Sequence, residues 1–127
     1  MIFGFRLLLI AMSFGTISTP LAAQDRSALE GDWTVDLRAT PQAPAYLRPM
    51  TLTITADGAL DGTFYERPID LGRAGSTNGR PCFAFRTQDG SGAYQTSGCL
   101  FGEHIEGQTW SEGRRFILNW KATRTGK

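Results

Sequence analysis

The chain has one histidine, His104, set between Glu103 and Glu106, and three serines, Ser91, Ser97 and Ser111, lie near it in sequence. Such residues could supply a general base, a metal ligand or a nucleophile. A zinc-type site needs several His or Cys ligands, yet the chain holds no second histidine and only 2 cysteines. A serine nucleophile needs a base within hydrogen-bond range, itself oriented by a third group, and no such set surrounds the three serines. His104 is read as a solvated turn residue. No catalytic residue, metal ligand or cofactor is assigned, and an enzyme is not expected. Arg73, Asn78 and Arg80, in the segment 72–80, could hold an anion with help from backbone N–H groups. That segment opens no helix and matches no phosphate-binding spacing, so it reads as a mobile loop.

The elements that position these side chains follow from turns and alternation. A loop at Asp89-Gly90-Ser91-Gly92 pairs Gln88 with Ala93 and sets Cys82 directly opposite Cys99. Opposed Cα atoms in an antiparallel ladder lie about 4.5 to 5.5 Å apart, within the span of a disulfide, so a cross-strand bridge is expected. A two-residue Gly102-Glu103 turn pairs Leu100 with Ile105 and Gly98 with Gly107. A two-residue Glu112-Gly113 turn would pair Thr109 with Phe116, Gly107 with Leu118 and Ile105 with Trp120. Around Gly58, a three-residue loop pairs Ile54 with Leu60 and Met50 with Phe64, keeping apolar opposite apolar. One face then carries Phe83, Phe85, Tyr94, Leu100, Ile105, Phe116, Leu118 and Trp120. The opposite face is largely polar, interrupted by Phe101, Trp110 and Ile117, a strip that could meet a partner or a second copy.

Strand patterns fall at 31–38, 48–56, 59–66, 68–72, 81–88, 93–101, 104–111 and 114–124, with no sustained helical period. The expected fold is all-β: an eight-stranded antiparallel up-and-down meander barrel with one cross-strand disulfide. In-strand glycines 62, 98 and 107 sit on the inward face, as bends of a closing sheet or seats for large rings require. A composition of 41% hydrophobic and 20% charged residues suits one globular domain. The net charge of +1 gives no long-range reason to expect nucleic acid.

Residues 1–23 read as a cleavable signal peptide: Arg6, an apolar stretch from Leu7 to Ile17, and Leu21-Ala22-Ala23 before polar Gln24. The apolar run falls short of the ~20 residues of a bilayer span, so no stable membrane insertion is expected after cleavage. A short N-terminal segment (24–30) and the barrel domain (31–127) follow. A periplasmic or secreted location fits the expected disulfide.

Gly31-Asp32-Trp33 at the start of the first strand resembles the G-x-W signature of the calycin group, which includes lipocalins, avidins and some secreted protease inhibitors. Arg124 stands near the end of the last strand. The resemblance implies that Trp33 closes the barrel floor with the Arg124 guanidinium across it. The stretches 31–37 and 58–64 are also similar to avidin-like chains. Val35, Asp36 and Phe64 replace the polar residues and tyrosine that avidins use, and the chain has only 3 tryptophans, so biotin binding is not carried over.

In such a barrel the inward residues nearest the open rim are Leu37, Met50, Phe64, Thr87, Tyr94, Thr109 and Phe116, candidates for the wall of a small apolar or amphipathic ligand site, unless they are simply core. The expected function is an exported binding module, monomeric or homodimeric. It would carry a small ligand inside, or bind an exported protein such as a protease through residues 24–28 or the rim loops.

Overall fold

The computed structural model describes residues 10–16 and 25–126. Among them are nine strands: β1 (Gly31–Asp36), β2 (Leu47–Ile54), β3 (Ala59–Phe64), the two-residue β4 (Arg67–Pro68), β5 (Asp70–Thr77), β6 (Arg80–Asp89), β7 (Gly92–Phe101), β8 (His104–Ser111) and β9 (Phe116–Arg124). Leaving β4 aside, each strand pairs antiparallel with the next, and β1 returns to β9, so eight strands close a ring. A 3-10 turn, Arg26–Leu29, precedes β1 and is capped by the Asp25 carboxylate on Ser27 N at 2.8 Å. Most of the signal-peptide reading lies outside the described residues; the described part, 10–16, has no regular structure. No described helix is long and apolar enough to cross a membrane.

Alternation fixes which way each strand faces. In β2, Met50 and Leu52 are buried while Thr53 is exposed; a one-residue slip would send the apolar set to water. The pairings Cys82 with Cys99, Gly98 with Gly107, and Met50 with Phe64 all occur as the turns require. Two readings are corrected. The segment 72–80 is not a loop: β5 runs to Thr77, and Asn78 and Gly79, with φ of 55° and 75°, form a two-residue primed turn into β6. Asn-Gly is the strongest short hairpin signal, and here it outweighs the glycines that precede it.

The β8–β9 register also differs, by two residues. Ser111 faces Phe116, Thr109 faces Leu118 and Gly107 faces Trp120. Parity survives, so the same side chains turn inward. The cause is a four-residue loop, 112–115, in which Arg115 is left-handed (φ 56°) and donates its N–H to Ser111 O at 2.8 Å. Gly113 serves contact here: a Cβ would lie 1.6 Å from Ser91 O of the neighbouring hairpin.

Apolar side chains pack across the barrel interior. Phe64 packs on Phe85 and Trp120 with ring centroids 5.4 and 5.7 Å away, and Phe83 stacks on Phe85 at 5.6 Å. Gly98 and Gly107 make room for these rings: an added Cβ would stand 2.9 Å from Phe83 Cζ and 2.2 Å from Trp120 Cζ2. Gly62 answers to its backbone, with φ 132° opposite Thr51 O.

The disulfide joins Cys82 and Cys99 across β6 and β7, with Cα atoms 4.0 Å apart. It closes a loop with a sequence separation of 17, for which chain entropy gives about 3 kcal/mol. The Cys82→Ala/Cys99→Ala protein should melt earlier by that amount, and reductant should lower the wild-type midpoint alike. Equal midpoints with and without reductant would contradict this.

Candidate functional site

The floor is built around Trp33, which is 1% exposed. Its Nε1 donates to Leu29 O at 2.9 Å, drawing the 3-10 turn under the barrel, where Leu29 is fully buried. Arg124 is the cross-strand partner of Trp33 and stacks over the indole, 4.2 Å from the ring centroid to Cζ. Its guanidinium donates to Glu30 O and, at 2.6 Å, to Ala28 O. The N-terminal segment is thereby held against the floor, and Gln24 lies outside the described residues.

The interior wall residues take different places. Leu37, Met50, Phe64, Thr87 and Thr109 are buried, and Tyr94 is half-buried. The hydroxyls of Thr109 and Thr96 lie 3.0 Å apart, and Trp120 Nε1 donates to Thr109 Oγ1 at 3.0 Å. Thr109 is thus engaged within the core. Phe116 departs from its reading as interior wall: the longer 112–115 loop moves it to the first position of β9, at the mouth, where it is 37% exposed.

The rim gathers a different set of groups. β1 ends at Asp36, whose carboxylate accepts from Arg38 N, Arg38 Nε at 2.7 Å and Tyr46 N at 3.2 Å, folding the proline-punctuated loop back onto β2. That places Tyr46 beside Tyr65, their hydroxyls hydrogen-bonded and their rings edge to face with centroids 6.1 Å apart. Arg48 lies over both rings, 4.4 Å and 5.3 Å from the centroids. Tyr65 is held by a turn in which both Tyr65 and Glu66 are left-handed, φ 54° and 64°. Non-glycine residues pay for that conformation, and such strain gathers at functional positions.

Across the mouth, Arg114 donates to Tyr94 Oη at 2.6 Å, Tyr94 donates to Asp89 at 2.8 Å, and the Arg114 guanidinium lies 5.4 Å from the Phe116 ring. Hydrogen bonding from Tyr46 holds the Tyr65 phenol below its ordinary pKa, with Arg48 and Arg114 adding to the effect, while Tyr46 is held above its own. Arg48 and Arg114 have no carboxylate within ion-pair distance among the described residues. The mouth therefore presents two stacked arginines, Tyr46, Tyr65, Phe116 and the 52% exposed Leu47.

Asp36 organises one side of this patch, and its pKa is lowered to about 2, first by the Arg38 side-chain hydrogen bond and then by backbone N–H groups. A depressed carboxylate contributes stability above its unfolded pKa of about 3.9 and loses it as pH falls through the folded value. Acidification from about pH 4 to pH 2 should therefore weaken the protein. Asp36→Asn should flatten that part of the profile. A carboxyl titration by NMR with a midpoint near the ordinary value would refute the assignment.

His104 lies on the outer wall, 3.7 Å from Glu106 Oε1. Among the described residues no group of three or more His, Cys, Asp or Glu side chains is arranged to hold a metal. Ser111 is buried and its Oγ accepts from Arg114 N at 3.2 Å, closing the 112–115 loop. Arg73 and Arg80 are strand residues, and Arg80 stacks 4.0 Å from the Phe101 ring while donating to Leu100 O at 2.7 Å. Sequence reasoning missed Tyr46, Arg48, Tyr65 and Arg114. No local spacing announces them: Tyr46 precedes β2, Arg48 is its second residue, Tyr65 lies in a turn and Arg114 in a loop. No protein-family model, curated protein or solved structure matches the chain.

Proposed function

We propose that this chain is an exported, non-enzymatic binding module of calycin type that engages a protein partner through its rim. The observation that carries the reading is the Tyr46–Arg48–Tyr65 cluster, with Arg114 and Phe116 across the mouth. Tyrosine and arginine dominate binding hot spots because they offer large, stiff contact area with polar ends. The rim holds Tyr46, Tyr65, Arg114 and Phe116 exposed and Arg48 half-buried, on a frame over an interior packed with Phe64, Phe83, Phe85 and Trp120. The Trp33–Arg124 stack and the up-and-down ring support the calycin assignment. Export is supported by the Cys82–Cys99 bridge, since disulfides form and persist in oxidising compartments.

A small amphipathic ligand is the second reading. It is favoured by one feature, the half-buried Tyr94 beside Phe116 and Arg114, where a shallow ligand would meet rings, a phenol and a cation.

A photo-crosslinking residue placed at Leu47 tests the first reading in the intact cell. It should give a discrete protein adduct in the exported fraction, lost on Arg48→Ala/Tyr65→Ala. The same probe at Glu103, on a floor turn, should give none. Equal adducts from rim and floor, or adducts indifferent to Arg48 and Tyr65, would refute it.

A further inference from the structure

Away from the rim, the outer wall of β5 to β9 carries a second surface with a different chemistry. The bulge between Asp70 and Arg73 turns Leu71 outward, 78% exposed with φ 53°. On β8, Trp110 stands 42% exposed. Between them runs an open groove of about 360 Å³, floored by Ala84, Gln95, Ser97 and Gln108, with Arg73 on its edge. Past Ser97 and Gln108 it continues into a larger open depression of about 1200 Å³ that reaches Phe101.

Two of the polar side chains here remain available, and the third keeps its amide oxygen. Gln95 and Ser97 have no internal side-chain partner among the described residues, whereas Gln108 Nε2 donates to Asn119 Oδ1 at 2.9 Å. An amide offers donors and an acceptor together, and a hydroxyl does the same. A flat indole beside them offers an apolar face.

We propose that this wall is a glycan-binding groove, with a sugar ring stacked on Trp110 and its hydroxyls bonded by Gln95, Ser97 and Gln108. Sugar rings present one face of C–H groups and a rim of hydroxyls, which matches one exposed ring set beside amides. The elongated shape suits several linked sugars better than one. Arg73, with no carboxylate within ion-pair distance among the described residues, suits a carboxylate on an acidic sugar. An extended peptide fits less well, because the strands here are paired on both sides and leave no sheet edge for main-chain hydrogen bonds.

Fluorescence reads the site directly: Trp33 and Trp120 are 1% and 4% exposed, so Trp110 alone faces a soluble ligand. Chitohexaose and a galacturonate oligomer are titrated as neutral and acidic probes, with an unstructured Gly/Ser/Gln peptide as the third. A saturable shift with either glycan, weakened about tenfold or more by calorimetry in Trp110→Ala and in Gln95→Ala/Gln108→Ala, supports the groove. Arg73→Ala should weaken the acidic probe alone. Both wall variants replace exposed side chains, and matching circular dichroism will show that they fold. No saturable response to either glycan up to about 1 mM overturns the proposal. So does affinity unchanged in both wall variants, or a response to the peptide only.

Discussion

Gly107→Ala should lower the melting temperature of the barrel by roughly 12 to 24 °C, out of proportion to a single methyl group. The added Cβ would sit 2.2 to 2.6 Å from Cζ2, Cη2 and Cε2 of Trp120. That ring has little freedom to retreat, since it packs on Phe64 and its Nε1 is bonded to Thr109. Overpacking of a filled core typically costs 1 to 3 kcal/mol, and about 3 kcal/mol is expected here. The clash comes from the outer ring of the indole, so Trp120→Phe removes it. In that background Gly107→Ala should cost little, a coupling that a double-mutant cycle measures. Gly75→Ala supplies the control: it lies in β5 with nothing within 4 Å of an added Cβ, and should be neutral or slightly stabilising. Equal losses at Gly75 and Gly107 would remove the steric explanation.

Trp33→Ala should have the larger effect, about 3 to 5 kcal/mol, or roughly 12 to 40 °C in midpoint. The indole is fully buried, bonds Leu29 O, and carries Arg124, which in turn binds the carbonyls of Ala28 and Glu30. Its removal opens a large void at the floor and frees the 3-10 turn that seals it. Arg124→Ala should cost less, since the stacking itself contributes about 0.5 to 2 kcal/mol at a partly exposed site. Denaturant melts of the two single variants and the double test this order. A Trp33→Ala protein as stable as Arg124→Ala would mean that the floor is held elsewhere.

The fold was legible because parity and turn chemistry agreed at most hairpins. Gly102, the Gly58 loop and the opposed cysteines each demanded the same inward set. Legibility failed where glycine had two physical meanings. Gly113 lies in a turn and also makes a close contact with Ser91, and the turn is four residues long rather than two, so the β8–β9 pairing lies two residues from the two-residue expectation and Phe116 sits nearer the mouth. Gly72, Gly75 and Gly79 read together as a loop, although only Gly79 is in a turn; Gly72 lies where a Cβ would meet Leu60 O at 2.3 Å. The rim cluster was hidden for another reason. Tyr46 and Arg48 come from the loop before β2 and its first residues, Tyr65 from a turn and Arg114 from a loop, so no local spacing announces them. The bulge that exposes Leu71 leaves no pattern that alternation can detect.

Native mass spectrometry of the protein taken gently from the exported fraction addresses the main assertion, that a solid barrel binds through its mouth. Expected is a polypeptide lacking about residues 1–23 and two hydrogens lighter for the disulfide, free or joined to a protein whose association Arg48→Ala/Tyr65→Ala abolishes. A small apolar molecule retained in the wild-type protein, and still retained in that variant, would place the ligand inside the barrel and contradict it.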